Sequence, residues 1–186
     1  MNFLRSSVAL GLAIQLAASP GYAAVATQAI GTVVSTGAFR LNHATVRSNA
    51  TLFEGAMVAN GAAPVRMDLS SGARLELESE STVQVFGDRM VLQRGASRID
   101  SAAGFRVEAR GLTIQPDGNA STGRIVLIGA RRVEVSAVTG SFRVLNPDGV
   151  LVAKIAAGRA LALEPQSTAD SARIMGAWRG ATATIC

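Results

Sequence analysis

Apolar and polar residues alternate in short runs along most of this chain, and glycine-containing turns separate the runs. Val65-Arg66-Met67-Asp68-Leu69 alternates and Ser71-Gly72 turns it. Arg74-Leu75-Glu76-Leu77-Glu78 and Thr82-Val83-Gln84-Val85 alternate again before Gly87-Asp88. Successive side chains of a strand point to opposite faces, so period two predicts short strands with one buried face and one wet face. The pattern continues through Phe105-Arg106-Val107-Glu108, Leu112-Thr113-Ile114, Arg124-Ile125-Val126-Leu127-Ile128, Arg132-Val133-Glu134-Val135 and Phe142-Arg143-Val144. Val150-Leu151-Val152-Ala153 and Ala160-Leu161-Ala162-Leu163 close the β region. Nearer the start, extended stretches fall at Gly31 to Thr36, Ala44-Thr45-Val46 and Ala50 to Phe53.

The turns have their own chemistry. Asp117-Gly118-Asn119 and Pro147-Asp148-Gly149 predict hairpins, because Asp, Asn and Gly tolerate the positive φ of tight turns. Asn60-Gly61 with Pro64 marks another turn. Phe105-Arg106-Val107 and Phe142-Arg143-Val144 echo one another. Turns at roughly 8–12-residue spacing suit a sandwich or barrel, and the stacked rungs of a β-roll fit equally. The expected fold class is therefore all-β: a sandwich or β-roll of many short, mainly antiparallel strands, with a short C-terminal helix. Ser167 or Thr168 caps that helix, Asp170 sits in its first turn, and Gly180 follows its end. Ala169, Ile174 and Ala177 or Trp178 form its apolar stripe. A short helix needs a surface to pack on, so Trp178 is expected to dock it onto the β body.

The N-terminus breaks the strand pattern. Arg5 precedes an apolar run from Val8 to Ala18, Pro20 and Gly21 end it, and Gly21-Tyr22-Ala23 offers small residues for cleavage. This is the pattern of a secretion signal. The run is shorter than the about 20 residues of a membrane span. The expected organisation is residues 1–23 as signal peptide, 24–52 as lead-in and first strands, 53–164 as the β domain, and 165–186 as helix and tail. The mature chain is expected to be periplasmic or secreted, with no membrane span after signal removal.

Composition narrows the function classes. The chain has 186 residues, a formal charge of +5 and a hydrophobic fraction of 48%, enough for one well-filled domain. Its basic residues are spread along the strands and aromatics make up only 4%, so no nucleic-acid partner is expected. One cysteine, Cys186, cannot form an intrachain disulfide and reads as a thiol on a tail.

No catalytic set assembles around these residues. His43 is the sole histidine, without a nearby cysteine or a Gly-x-Ser-x-Gly elbow, and reads as a surface or turn residue. One His and one Cys do not make a zinc site. Glu76, Glu78 and Glu80 alternate along one expected strand face. Paired carboxylates can cleave glycosidic bonds or bind calcium. Alternation alone accounts for them as a solvated face, with Arg66, Arg74 and Asp68 as cross-strand partners. Asp117-Gly118-Asn119 lacks the calcium-loop spacing. Asn49-Ala50-Thr51 and Asn119-Ala120-Ser121 match the glycosylation triplet. No catalytic residue, cofactor or metal site is expected.

The order of these segments resembles a known family. Ser71 to Leu77, Ser81 to Val85, Met90 to Ala96 and Phe105 to Glu108 are similar to the successive strands of the FecR-type periplasmic domain. Gly140 to Val144 and Val150 to Leu163 resemble its later strands, so the likeness spans about Phe53 to Glu164. The resemblance implies an all-β, non-enzymatic module that contacts other envelope proteins. In the best-known relatives an outer-membrane receptor is the partner and a cytoplasmic sigma factor the output. Those relatives carry a cytoplasmic segment and a membrane span before the domain. Here the secretion-signal pattern stands in that place, so direct sigma-factor regulation is not expected. An envelope lipid- or glycan-binding factor, with an open interior, is the alternative expectation. A secreted carbohydrate-active enzyme using the three glutamates is a further one.

Overall fold

The computed structural model describes residues 28–102, 104–118 and 120–165, and these form two β-sheets with no helix among them. The first sheet runs, edge to edge, β17 (Ala160–Leu163), β14 (Arg132–Thr139), β13 (Ala120–Ile128) and β10 (Ala96–Ala102). It continues with β7 (Arg74–Leu77), β6 (Val65–Leu69), β1 (Ala29–Ser35) and β4 (Asn49–Phe53). The second runs β16 (Leu151–Ala156), β15 (Ser141–Leu145), β12 (Leu112–Pro116), β11 (Arg106–Ala109) and β9 (Arg89–Arg94). It ends with β8 (Thr82–Val85), β5 (Ala56–Asn60), β2 (Phe39–Leu41) and β3 (Ala44–Val46). The expected all-β class is what forms. The expected C-terminal helix, Trp178 and Cys186 lie outside the described residues, as does the signal segment.

The chain alternates between the sheets. A hairpin or single strand is laid on one, then the next on the other, so the fold advances from a β3/β4 end to a β16/β17 end. Strands β1–β4, from the segment read as lead-in, belong to the same two sheets as the rest. Every pairing is antiparallel except β9 with β11. Between those two the chain visits the first sheet as β10, the crossover that a parallel pair requires.

The alternation puts one set of side chains inside. On β6, Val65, Met67 and Leu69 are buried while Arg66 and Asp68 are exposed. Both sheets contribute to a single apolar core that includes Phe39, Leu52, Leu75, Leu77, Met90, Ile114, Ile125 and Phe142. Each fully buried aliphatic or Phe side chain contributes about 1.5–3 kcal/mol relative to exposure. Three Phe-Arg-apolar triplets enter the second sheet with the ring buried: Phe39-Arg40-Leu41, Phe105-Arg106-Val107 and Phe142-Arg143-Val144. The first extends the echo seen in the sequence.

Two of the expected turns behave differently from one another. Pro147-Asp148-Gly149 joins the paired strands β15 and β16, as a hairpin should. Asp117-Gly118-Asn119 does not close a hairpin. It carries the chain from β12 in the second sheet to β13 in the first, and those strands pair with other partners.

Buried polar side chains fix the crossings. The Asn60 amide donates to the carbonyls of Ala63 (2.7 Å) and Glu78 (2.9 Å), and its oxygen accepts from the Ser81 N–H (3.0 Å). The fully buried Ser81 hydroxyl accepts from the Ala96 N–H and donates to the Ala96 carbonyl, both at 2.9 Å. These bonds tie β5, β8 and β10 together where the chain changes sheets.

Candidate interaction surface

The residues singled out for chemistry do not converge. His43 occupies the exposed two-residue turn of the β2–β3 hairpin with Asn42, at φ 72 and 47. That is the positive-φ geometry of a tight hairpin, which Asn and His adopt more readily than most residues. Glu76 lies on the outer face of β7, 3.8 Å from Arg66. Glu78 falls beyond the end of β7 and takes two hydrogen bonds from Arg124, at 2.5 and 2.7 Å, instead of a partner on β6. The Arg124 hydrogen bonds hold the Glu78 carboxyl below the usual carboxylate range. Glu80 sits at φ 55 in the crossing to β8 and lines a groove over the second sheet. The expected common strand face of the three glutamates is thus corrected: β7 ends at Leu77, and the chain turns away to the other sheet.

Among the described residues no group of three or more His, Cys, Asp or Glu is placed to hold a metal. Asp117 instead receives Lys154 and lies 3.7 Å from Arg143, and the Lys154 ammonium lowers its pKa.

The outer face of the first sheet is a charge checkerboard. Arg66, Glu76 and Arg98 stand opposite one another across β6, β7 and β10, and Asp68, Arg74 and Asp100 form the next row. A groove of about 470 Å³ runs over these six. Its charges neutralise each other locally, as a solvated face does, and exposed pairs of this kind contribute less than about 1 kcal/mol each. The second groove, about 320 Å³, is lined by Arg40, Thr82, Arg94 and Glu80 on the outside of the second sheet. Between the sheets the inward side chains are packed, with Val33, Val58, Met67, Val83, Val107 and Val135 all at 0% exposure. The open interior expected of a lipid- or glycan-holding roll is filled by side chains here.

The two ends of the sandwich are built differently. Edge strand β4 carries the inward Leu52 at 0% exposure, and Val46 and Ala50 pack against the core. This end is sealed. Strand β4 has five residues, Asn49-Ala50-Thr51-Leu52-Phe53, with no charge and no proline; it pairs in register with β1 from Asn49 to Leu52, and the register shifts at its Phe53 end, where β1 leaves Ile30 over. Edge strands avoid aggregation through brevity, charge, proline or bulges, and β4 has only modest length and one irregularity on the β1 side at its end. The other three edges have more. Strand β3 has three residues and β17 four. Strand β16 carries Lys154 and a bulge, because Val144 and Leu145 pair with Ala153 and Leu151 and leave Val152 over.

At the β16/β17 end several apolar side chains are exposed among the described residues. Leu161 pairs with the buried Val135 and so faces inward, yet it is 40% exposed. Leu151 at 53% and Val152 at 49% lie on β16, Val150 at 60% just before it, and Val138 at 55% on β14. Leu151-Val152-Ala153 and Ala160 to Leu163 do not alternate with polar residues. An unbroken apolar run is the signal of a strand covered on both faces, and it marks this end in the sequence.

No protein-family model and no curated protein matches the sequence. Two crystal structures, at 1.65 and 2.50 Å, of a "putative anti-sigma factor" from Parabacteroides distasonis ATCC 8503 superpose on the fold with a TM-score of 0.46 and 14% identity. The first superposition covers 63% of this chain and 63% of that one, the second 64% of each.

Proposed function

We propose that this chain is an exported, non-enzymatic, FecR-like module that binds another protein of the cell envelope by strand addition at β4. The observation that carries this reading is the β4 edge: five uncharged residues without proline, paired in register with β1 from Asn49 to Leu52, on a buried core. An added strand gains main-chain hydrogen bonds from such an edge, and alternate side chains supply specificity. Exposed Phe53 and Val34, at 41% and 50%, offer apolar contacts beside it on β4 and β1. The secretion-signal pattern of residues 1–23 and the FecR-like order of strands support an envelope location.

The test is crosslinking of the mature protein in its native envelope, followed by mass spectrometry. Asn49→Lys with Thr51→Lys adds charge along the exposed β4 edge, where both residues face solvent. The partner captured by the wild-type chain should be lost from this variant and kept by Val152→Lys. Equal capture by both variants refutes strand addition at β4. Retention of glycan or lipid without any protein refutes the protein-binding function.

A further inference from the structure

The basic residues on the strands of the second sheet fall into two sets. Arg89, Arg106, Arg143 and Lys154 each have a carboxylate of Asp88, Glu108 or Asp117 within 3.7 Å. Arg40 on β2 and Arg94 on β9 are the other two. Both are exposed, and among the described residues neither side chain has an ion pair or a hydrogen bond.

Strand pairing puts these two arginines on one line. Thr45 stands opposite Arg40, Arg40 opposite Ala59, Ala59 opposite Thr82, and Thr82 opposite Arg94. Directly opposed residues share a face, so the five form a single row across the outside of the sheet. They line the groove of about 320 Å³. Three strand spacings of about 4.8 Å each set Arg40 and Arg94 about 14 Å apart. The small side chains of Ala59 and Thr82 lie between them and leave the trough open. Glu80 lines the same groove. It leads into β8, with its N–H on the Gly61 carbonyl at 2.9 Å, so in strand order it stands between the two arginines. Its carboxylate also lacks an ion pair among the described residues.

We infer that this groove binds an acidic peptide segment of a partner protein, laid in extended form across β2, β5, β8 and β9, with two carboxylates four residues apart on Arg40 and Arg94. The planar guanidinium fork matches a carboxylate with two parallel hydrogen bonds. Residues four apart in an extended chain are separated by about 13–14 Å, which is the spacing of the two arginines. Glu80 decides the class of anion. A carboxylate between the arginines repels an evenly charged polyanion, whereas a peptide places a lysine or a neutral residue opposite it. The hydroxyls of Thr45 and Thr82 make no hydrogen bond among the described residues, and each offers a donor and an acceptor to the peptide backbone. The groove lies on the second sheet and β4 is an edge of the first, so this inference stands apart from strand addition at β4.

The test is a nuclear magnetic resonance titration of the isotope-labelled mature protein at low ionic strength. The probe is the blocked peptide Gly-Glu-Ser-Lys-Ser-Glu-Gly, and Gly-Ser-Lys-Ser-Glu-Glu-Gly is its control, with the two glutamates adjacent. The backbone amides of Ala59, Thr82 and Arg94 should shift saturably with the probe, and the control should bind more weakly. The double variant Arg40→Gln/Arg94→Gln, at exposed positions, should keep the β circular dichroism and weaken binding about tenfold or more, the size of losing a charge-assisted hydrogen bond. Asn49→Lys with Thr51→Lys should bind the probe as the parent does, which separates this site from β4. Unmoved amides overturn the inference, and so does equal affinity in the Arg40/Arg94 double variant or for the control peptide. Tripolyphosphate bound as tightly as the probe also overturns it, because the groove would then be a general anion site.

Discussion

Replacing Gly95 with Ala tests the central crossing of the fold. Gly95 has φ +82 and lies against buried Ser81; an added Cβ would sit 2.2 Å from the Ser81 Oγ, 2.7 Å from its Cα and 2.8 Å from its Cβ. Two costs follow. A left-handed conformation costs a residue with a Cβ about 1–2 kcal/mol. Overpacking against a fixed neighbour adds about 1–3 kcal/mol. The sum, about 2–5 kcal/mol, is a large share of a typical domain's stability. Gly158→Ala separates the terms, because Gly158 has φ +72 but nothing within 4 Å of an added Cβ; it should show the backbone cost alone. Ser81→Ala leaves the buried Ala96 N–H without its acceptor, at about 1–3 kcal/mol, while the Ala96 carbonyl keeps the Glu78 N–H at 3.0 Å. The double variant Ser81→Ala/Gly95→Ala removes the closest contact, so it should be more stable than the sum of the single losses predicts. Urea unfolding with an unchanged slope measures each value. Gly95→Ala within about 0.5 kcal/mol of the parent, the range of an ordinary surface change, would refute the clash, and an additive double variant would refute the coupling.

Two further outcomes follow from single side chains. Asn60→Asp replaces the amide donor to the Ala63 and Glu78 carbonyls with an acceptor, and thermal unfolding should register a loss of about 2 kcal/mol or more; a change below about 0.5 kcal/mol would contradict the assignment. The Glu78–Arg124 pair lowers the Glu78 pKa on folding, so its contribution is complete above the ordinary carboxylate pKa and is lost as pH falls through the lowered folded value. With side-chain exposures of 36% and 38% the contribution is about 1 kcal/mol or less. Glu78→Gln should flatten that part of the acid unfolding profile, and parallel profiles for the two proteins would count against it.

The strands were legible because their signal is local. Val65 to Leu69 alternates in sequence and therefore in burial, and Ser71-Gly72, Gly87-Asp88 and Pro147-Asp148-Gly149 each join strands that pair. Asp117-Gly118-Asn119 has the same turn chemistry, but turn residues set φ and not which sheet receives the next strand. The alternation past Leu77 to Glu78 and Glu80 was misleading for the same reason. Polarity continues where the strand has stopped and the chain is crossing. Asn60 and Ser81 look like ordinary turn and loop residues, since the groups that make them structural, the Glu78 carbonyl, each other and Ala96, are 15 to 21 positions away. The pairing edge at β4 was invisible because an edge is a property of sheet order, and β4 gains its place by folding back beside β1 rather than by its composition.

The difference between the two ends follows from that sheet order. At the β3/β4 end, Phe39 on the β2–β3 hairpin and Leu52 on β4 are both buried in the common core, and Val46 and Ala50 pack against that core. At the β16/β17 end the corresponding inward residues of β16 include Ala153, too small to reach across, and Leu161 keeps 40% of its surface. Burying a leucine contributes about 1.5–3 kcal/mol, so the part-exposed Leu161 gives up a share of that. The first end offers hydrogen bonds without exposed core, which suits an added strand. The second leaves the inward Leu161 part-exposed beside an edge strand that carries a bulge and Lys154, which disfavours an added strand. Strand addition is therefore open to one end of the β-sandwich and disfavoured at the other.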